Sequence, residues 1–172
     1  MRETISYNVI VCPFKSDERE EVKKLILDVQ EEAFGEADNL TELDDLNNIP
    51  THYQNHHSGG FWVAKVEDKI VGVIGLKVNE VEGKSIATLK RFYVLKGYRG
   101  NKAYEIASKL FSTLLQQANS NKIKNIYLGT TLDYPAAPIF FRKNGFIAID
   151  KAEMPKGSII SDYDTHFFAR PL

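Results

Sequence analysis

Apolar positions change their period several times along this 172-residue chain, and each change marks an element. Ile5, Tyr7, Val9 and Val11 alternate with Thr4, Ser6, Asn8 and Ile10, a period of two that predicts a half-buried strand. Asp17 then suits a helix cap with Glu20 at the reciprocal position, and Val22, Leu25, Ile26 and Val29 form one apolar stripe that Gly35 ends. A weaker helical stretch begins near Thr41 and carries Leu43, Leu46 and Ile49 up to Pro50. Residues 51–59 hold three of the four histidines and show no clear period. Residues 61–66 and 70–78 read as two strands about a tight turn at Glu67, Asp68 and Lys69, and a second turn over 79–84 leads into a further strand.

That strand ends in strand formers, Leu89, Phe92, Tyr93, Val94 and Leu95. Beyond it, Ala103, Ile106, Ala107, Leu110, Phe111, Leu114, Leu115 and Ala118 recur at helical spacing, leaving Lys109, Gln116 and Gln117 to water, with Asn101 as the cap. Residues 123–128 predict a strand ending at Gly129-Thr130-Thr131. Pro135 starts a short helix over 136–143 that Gly145 closes, and residues 146–149 and 165–169 are the last strands. The order β α α β β β α β α β β implies one domain, residues 1–172. It is an α/β fold with a single mixed central sheet and helices on both faces.

Composition narrows the function. The apolar share of 43% and the charged share of 26% belong to an ordinary soluble protein. A net charge of −1 gives no basic field for nucleic acid, and the longest apolar run, residues 70–76, is too short to span a bilayer. Residues 1–8 carry no apolar core of a signal peptide, which makes a cytoplasmic home the expectation. A lone Cys12 excludes an internal disulfide and a four-cysteine zinc site, and no metal is expected; beside Pro13 it reads as a small buried hydrophobe.

The most informative chemistry lies where the fourth strand runs through Tyr98-Arg99-Gly100 into the long helix. A strand, a basic glycine loop and a helix N-terminus make an anion cradle, because loop amides and the unpaired N–H groups of the first turn converge beside a positive dipole end. Arg99 and Lys102 add positive charge, so the expected guest is a phosphate or pyrophosphate; the competing reading is a solvated basic turn.

Element order, the YRG loop before an amphipathic helix, and the late FFRKNGF together resemble the GNAT superfamily of acetyl-CoA-dependent N-acetyltransferases. FWVAKVEDKIVGVIGL is similar to that family's second and third strands, YVLKGYRG to the end of its fourth strand and pyrophosphate loop, and ASKLFSTLL to its third helix. AAPIFFRKNGF looks like the helix and turn beside the pantetheine arm. The resemblance implies the acyl-CoA N-acyltransferase (GNAT-like) fold and transfer of an acetyl group from acetyl-CoA, the cosubstrate, to a primary amine by direct attack on the thioester.

It also implies site residues. Backbone amides of Arg99, Gly100, Asn101, Lys102, Ala103, Tyr104, Glu105, Ile106 and Ala107 would hold the phosphates, and those near Phe92, Tyr93 and Val94 the thioester oxygen. In the family's loop pattern Lys102 stands for the leading basic residue and Ala107 for the closing small one, but Glu105 replaces a glycine. It could instead sit in the first helical turn and face Arg99 or Lys102. The family's usual general base and general acid positions are here Thr88 and Phe141, so both partners are absent.

The replacement candidates are His52, His56, His57, Glu80, Glu82 and Tyr134. Tyr134 is the one chosen for a catalytic role; the bland reading makes it a lid against Phe141. The lost acid–base pair leaves a second function class open, a non-catalytic acyl-CoA-binding module or sensor. The acceptor is a small-molecule or peptide amine, with no nucleic acid or membrane as partner and a homodimer as the candidate assembly.

Overall fold

Two tight turns on left-handed residues fold the middle of the chain into a meander. Glu67 and Asp68 (φ 50° and 64°) join β2 (Gly60–Val66) to β3 (Lys69–Val81), and Glu82 and Gly83 (φ 51° and 78°) join β3 to β4 (Lys84–Val94). Two successive residues with positive φ match the right-handed twist of paired strands. The computed structural model describes residues 7–35, 43–102 and 104–172. Before the meander come β1 (Val9–Pro13), α1 (Arg19–Phe34), the short α2 (Asp44–Asn47) and a turn of π-helix at Pro50–Gln54. After it come α3 (Ile106–Ser120), β5 (Asn125–Thr130), α4 (Ala136–Lys143), β6 (Ile147–Ile149) and β7 (His166–Pro171).

The seven strands form one sheet in the order β1-β2-β3-β4-β5-β7-β6. Every neighbouring pair is antiparallel except β4 and β5, which run parallel and pair only at Ala87↔Ile126 and Thr88↔Tyr127. Beyond Thr88 the two strands part. Separate cores cover the two faces. Leu110, Phe111 and Leu114 of α3 and Phe141 of α4 pack with Trp62, Ile74, Leu76 and Phe168 on one. Val22, Leu25, Ile26 and Val29 of α1 pack with Leu46, Ile49, Tyr53, Phe61 and Val73 on the other.

The expected element order and mixed sheet are thus present, and the differences are local. The backbone N–H of Lys15 is held by Glu18 (2.8 Å), not by a cap at Asp17, because a single 3₁₀ turn at Ser16–Glu18 precedes α1. The buried Glu18 carboxylate also meets Lys65 Nζ at 2.6 Å. α3 starts at Ile106 rather than just after Asn101, whose carbonyl instead closes a turn with the N–H groups of Tyr104 and Glu105. β5 begins at Asn125, since Ile123 N–H still bonds back to Ala118. Cys12, expected buried, is half-exposed on β1. The expectations for residues 4–6, Thr41 and Ala103 lie outside the described residues.

Candidate active site

Where β4 leaves β5, a cleft of about 950 Å³ opens into the sheet. Phe92 and Val94 on β4, Gly129 and Thr130 on β5, Ala137 and Phe140 on α4, residues 98–102 of the glycine loop and the first turn of α3 line it. The end of α1, with Gln30 and Phe34, forms its far wall together with Tyr93 and Tyr134.

The cleft edge of β4 is shaped by a bulge. Register runs Val73↔Tyr93 and then Gly75↔Lys90, so Ile74 opposes two residues, Arg91 and Phe92. Arg91 takes a left-handed φ of 53°, which explains the extra residue. Downstream, Leu95 N–H bonds to the Val71 carbonyl (2.9 Å). Antiparallel alternation therefore sends the Tyr93 N–H into the ladder with β3, and the Val94 and Phe92 N–H groups toward the cleft. Of the three neighbouring residues singled out in the sequence, Tyr93 contributes its ring rather than an amide.

At the loop, Glu105 is the residue before α3 and has a φ of 49°, with no side-chain cap bond. Lys109 N–H donates to the Glu105 carbonyl (3.0 Å), which leaves the Ile106, Ala107 and Ser108 N–H groups in the first turn ahead of the helical ladder. Glu105 is not in the first helical turn, and among the described residues it pairs with neither Arg99 nor Lys102. Arg99 is engaged elsewhere: its guanidinium meets Glu32 on α1 at 2.5 and 3.1 Å and donates to the Val94 carbonyl at 2.6 Å. Those hydrogen bonds and the adjacent positive charge hold the Glu32 carboxyl below the usual carboxylate range.

The sequence candidates for acid and base separate clearly. His52 bonds with Lys77 (3.2 Å), and His56 accepts from Ser58 N–H and contacts Glu80 at 2.8 Å with His57 stacked on it. None of these, nor Glu82, lines the cleft. Thr88 is wholly buried, and its Oγ1 accepts the Ile159 N–H (3.1 Å), so it anchors the segment before β7. Phe141 packs against Phe92, Phe146 and Phe168.

Tyr134 does line the cleft, just before α4, but it shares no face with Phe141. It packs edge-on to Phe34 (5.4 Å between centroids) and beside Tyr93 (5.9 Å), on the opposite core. Its hydroxyl is buried without a hydrogen-bond partner among the described residues. Burial, and then the neighbouring Tyr93, push its pKa well above that of an ordinary tyrosine. Sequence reasoning missed the segment before β7, whose Ser161, Tyr163 and Asp164 also line the cleft, because it has no period to read.

Residues 23–146 match the Acetyltransferase (GNAT) family. The chain belongs to the GNAT acetyltransferase family. Membership implies acetyl transfer, with acetyl-CoA as the cosubstrate. A GNAT-family acetyltransferase from Staphylococcus aureus Mu50 is 30% identical, with a TM-score of 0.86 over 96% of this chain and 99% of that one. An acetyltransferase from Streptococcus agalactiae is 27% identical, with a TM-score of 0.84 over 95% and 98%. PaiA N-acetyltransferase from Thermoplasma acidophilum, solved with coenzyme A, shares the fold at 15% identity and a TM-score of 0.73 over 96% and 99%. N-acetylaspartate synthetase of Xenopus tropicalis is 33% identical over 102 residues, 59% of this chain. The match spans only 36% of that relative's length. No described helix is long and apolar enough to cross a membrane.

The cleft suits the cosubstrate. Open amides at the start of α3 offer donors to phosphate, and the unpaired β4 edge with Phe92 and Phe140 beside it offers an amide-and-apolar wall for a pantetheine arm.

Proposed function

We propose that this enzyme transfers the acetyl group of acetyl-CoA to the primary amine of a small molecule or peptide by direct attack on the thioester. The observation that carries this reading is the open edge of β4. Past Thr88 it lacks a strand partner, and it directs the Phe92 and Val94 N–H groups into the same cleft that the first turn of α3 lines. These two amides would receive the charge that develops on the thioester oxygen, the kind of preorganised donor that is worth most where water is excluded. The first turn of α3 and the loop from Arg99 to Ala107 would hold the phosphates. Glu105 at φ 49° supports that register, because the family's glycine falls on a residue that is left-handed here.

Tyr134 is the donor for the departing sulfur. Its raised pKa keeps the phenol protonated at any working pH, and a thiolate whose thiol has a pKa of about 8.5 is too weak a base to take that proton outright. The hydroxyl therefore stabilises the thiolate by a hydrogen bond, which its lack of a protein partner leaves it free to make. No described histidine lines the cleft, but the carboxylates of Asp133 and Asp164 do. The acceptor gives its ammonium proton to water or to one of these and attacks as the neutral amine. The further proton shed by nitrogen as the C–S bond breaks ends on the departing thiolate. Similarity to an N-acetylaspartate synthetase makes free amino acids the first acceptors to try. Calorimetry with CoA tests the donor site: binding is expected, and no binding would overturn the reading.

A further inference from the structure

The kink in β4 has no glycine to hold it. Arg91 adopts φ 53°, a conformation that costs a residue with a side chain and persists only where its surroundings impose it. Its side chain is held in an unusual way. Arg91 Nε and Nη2 meet the two oxygens of Asp45 at 2.9 and 2.7 Å, a two-pronged ion pair that is largely shielded from water. Tyr53 Oη donates to the same carboxylate at 2.5 Å. Asp45 lies on α2 and Tyr53 on the π-turn, both outside the sheet, so the contacts tie the bulge to the layer above it. The strand opposite is cut to fit. A Cβ on Gly75, the partner of Lys90 beside the bulge, would stand 2.9 Å from the Tyr53 ring and 3.0 Å from Phe61.

The geometry points to Asp45, Arg91 and Tyr53 as a clamp that keeps β4 kinked and so keeps the Phe92 and Val94 amides turned to the cleft. They are positioning residues for acetyl transfer. The step they serve rests on the reading of those amides as the thioester-oxygen site. If the clamp let go, β4 would relax toward a regular ladder, shifting the register by one residue and turning those donors away.

The test uses three variants of the full chain, followed by kcat with acetyl-CoA and by the amide resonances of Phe92 and Val94. Asp45→Asn should lower kcat by about 10–100-fold, the scale of a small displacement at a reacting centre, and move both resonances. Adding Arg91→Gly should restore most of the rate, because glycine takes positive φ without a clamp. Tyr53→Phe, which removes one hydrogen bond and keeps the ring, should give a smaller loss of the same kind and serves where Asp45→Asn fails to fold. Unmoved resonances would overturn the clamp itself. Moved resonances with unchanged kcat would overturn the role of the amides. A double variant no better than Asp45→Asn would show that the carboxylate acts by some route other than the kink.

Discussion

Arg99 spans from Glu32 on α1 to the Val94 carbonyl on β4, with contacts of 2.5 and 3.1 Å to the carboxylate and 2.6 Å to the carbonyl. It thus links the glycine loop to the wall of the cleft opposite, and the charge expected to meet a phosphate is already matched by Glu32. The two residues are therefore expected to act as one latch. Arg99→Ala and Glu32→Gln should weaken CoA binding by similar, few-fold factors, as befits a partly exposed pair worth roughly 0.2–1 kcal/mol. Calorimetry on both variants checks this. A Glu32→Gln variant that binds CoA more tightly would mean that Arg99 meets the phosphates directly.

Glu105 combines an unfavourable backbone with an unfavourable charge. Its left-handed φ of 49° costs roughly 1–2 kcal/mol for a residue with a side chain, of which the greater freedom of an unfolded glycine would cancel about 0.4–1. Glu105→Gly should therefore leave the melting temperature unchanged or raise it. Removing a like charge from the phosphate site should tighten CoA binding several-fold, from about 1 kcal/mol of repulsion. A lower melting temperature with unchanged affinity would contradict the register.

Much of the architecture was legible in periodicity, and the residues that were not legible share a cause. The stripes of α1 and α3 announce themselves because tertiary packing acts on whole faces: Val22, Leu25, Ile26 and Val29, and Leu110, Phe111 and Leu114, are all buried. Helix starts were less secure. Asn101 and Asp17 have good capping chemistry, but Asn101 spends its carbonyl on a loop turn and the N–H at Lys15 is taken by Glu18. The site itself was half visible. The glycine loop was marked by local pattern, β4 and Tyr134 by the family resemblance, and all of them line the cleft. The Asp45–Arg91–Tyr53 cluster was not, because its members lie 8 and 46 residues from Asp45 and only the fold brings them together. Arg91 gave no hint of a bulge, since nothing in its side chain favours positive φ.

Tyr134→Phe separates chemistry from packing. The ring contacts with Phe34 and Tyr93 survive, and an unpaired buried hydroxyl is lost, so stability should not fall. The kcat should drop by roughly 10²–10³-fold, the usual cost of one transition-state donor, with CoA affinity unchanged. Because its pKa is raised, the wild-type hydroxyl stays protonated through pH 10, and no loss of rate from its ionisation should appear below that. Unchanged turnover in Tyr134→Phe would make it a packing residue.

Asp45 should also set a pH dependence of stability. Burial raises its pKa, but the hydrogen bonds and charge of Arg91 outweigh burial, and the carboxyl ends below its ordinary value. A depressed pKa contributes stability that is complete above the unfolded value, about 3.9, and is lost as pH falls through the folded one. Asp45→Asn breaks a largely buried pair and should cost about 3 kcal/mol at neutral pH. That gap should close below about pH 4, as read from denaturant midpoints across pH. A gap independent of pH would mean that the charge is not what holds Arg91.

The account as a whole rests on acetyl transfer to an amine in the cleft beside β4. The most direct measurement is thiol release from acetyl-CoA with a panel of primary amines, amino acids first, with the products weighed by mass spectrometry. The account predicts that at least one amine accelerates thiol release well above hydrolysis and gains the mass of one acetyl group, at a rate that rises with pH toward the amine's own pKa. Tight CoA binding with no amine accelerating thiol release would contradict it.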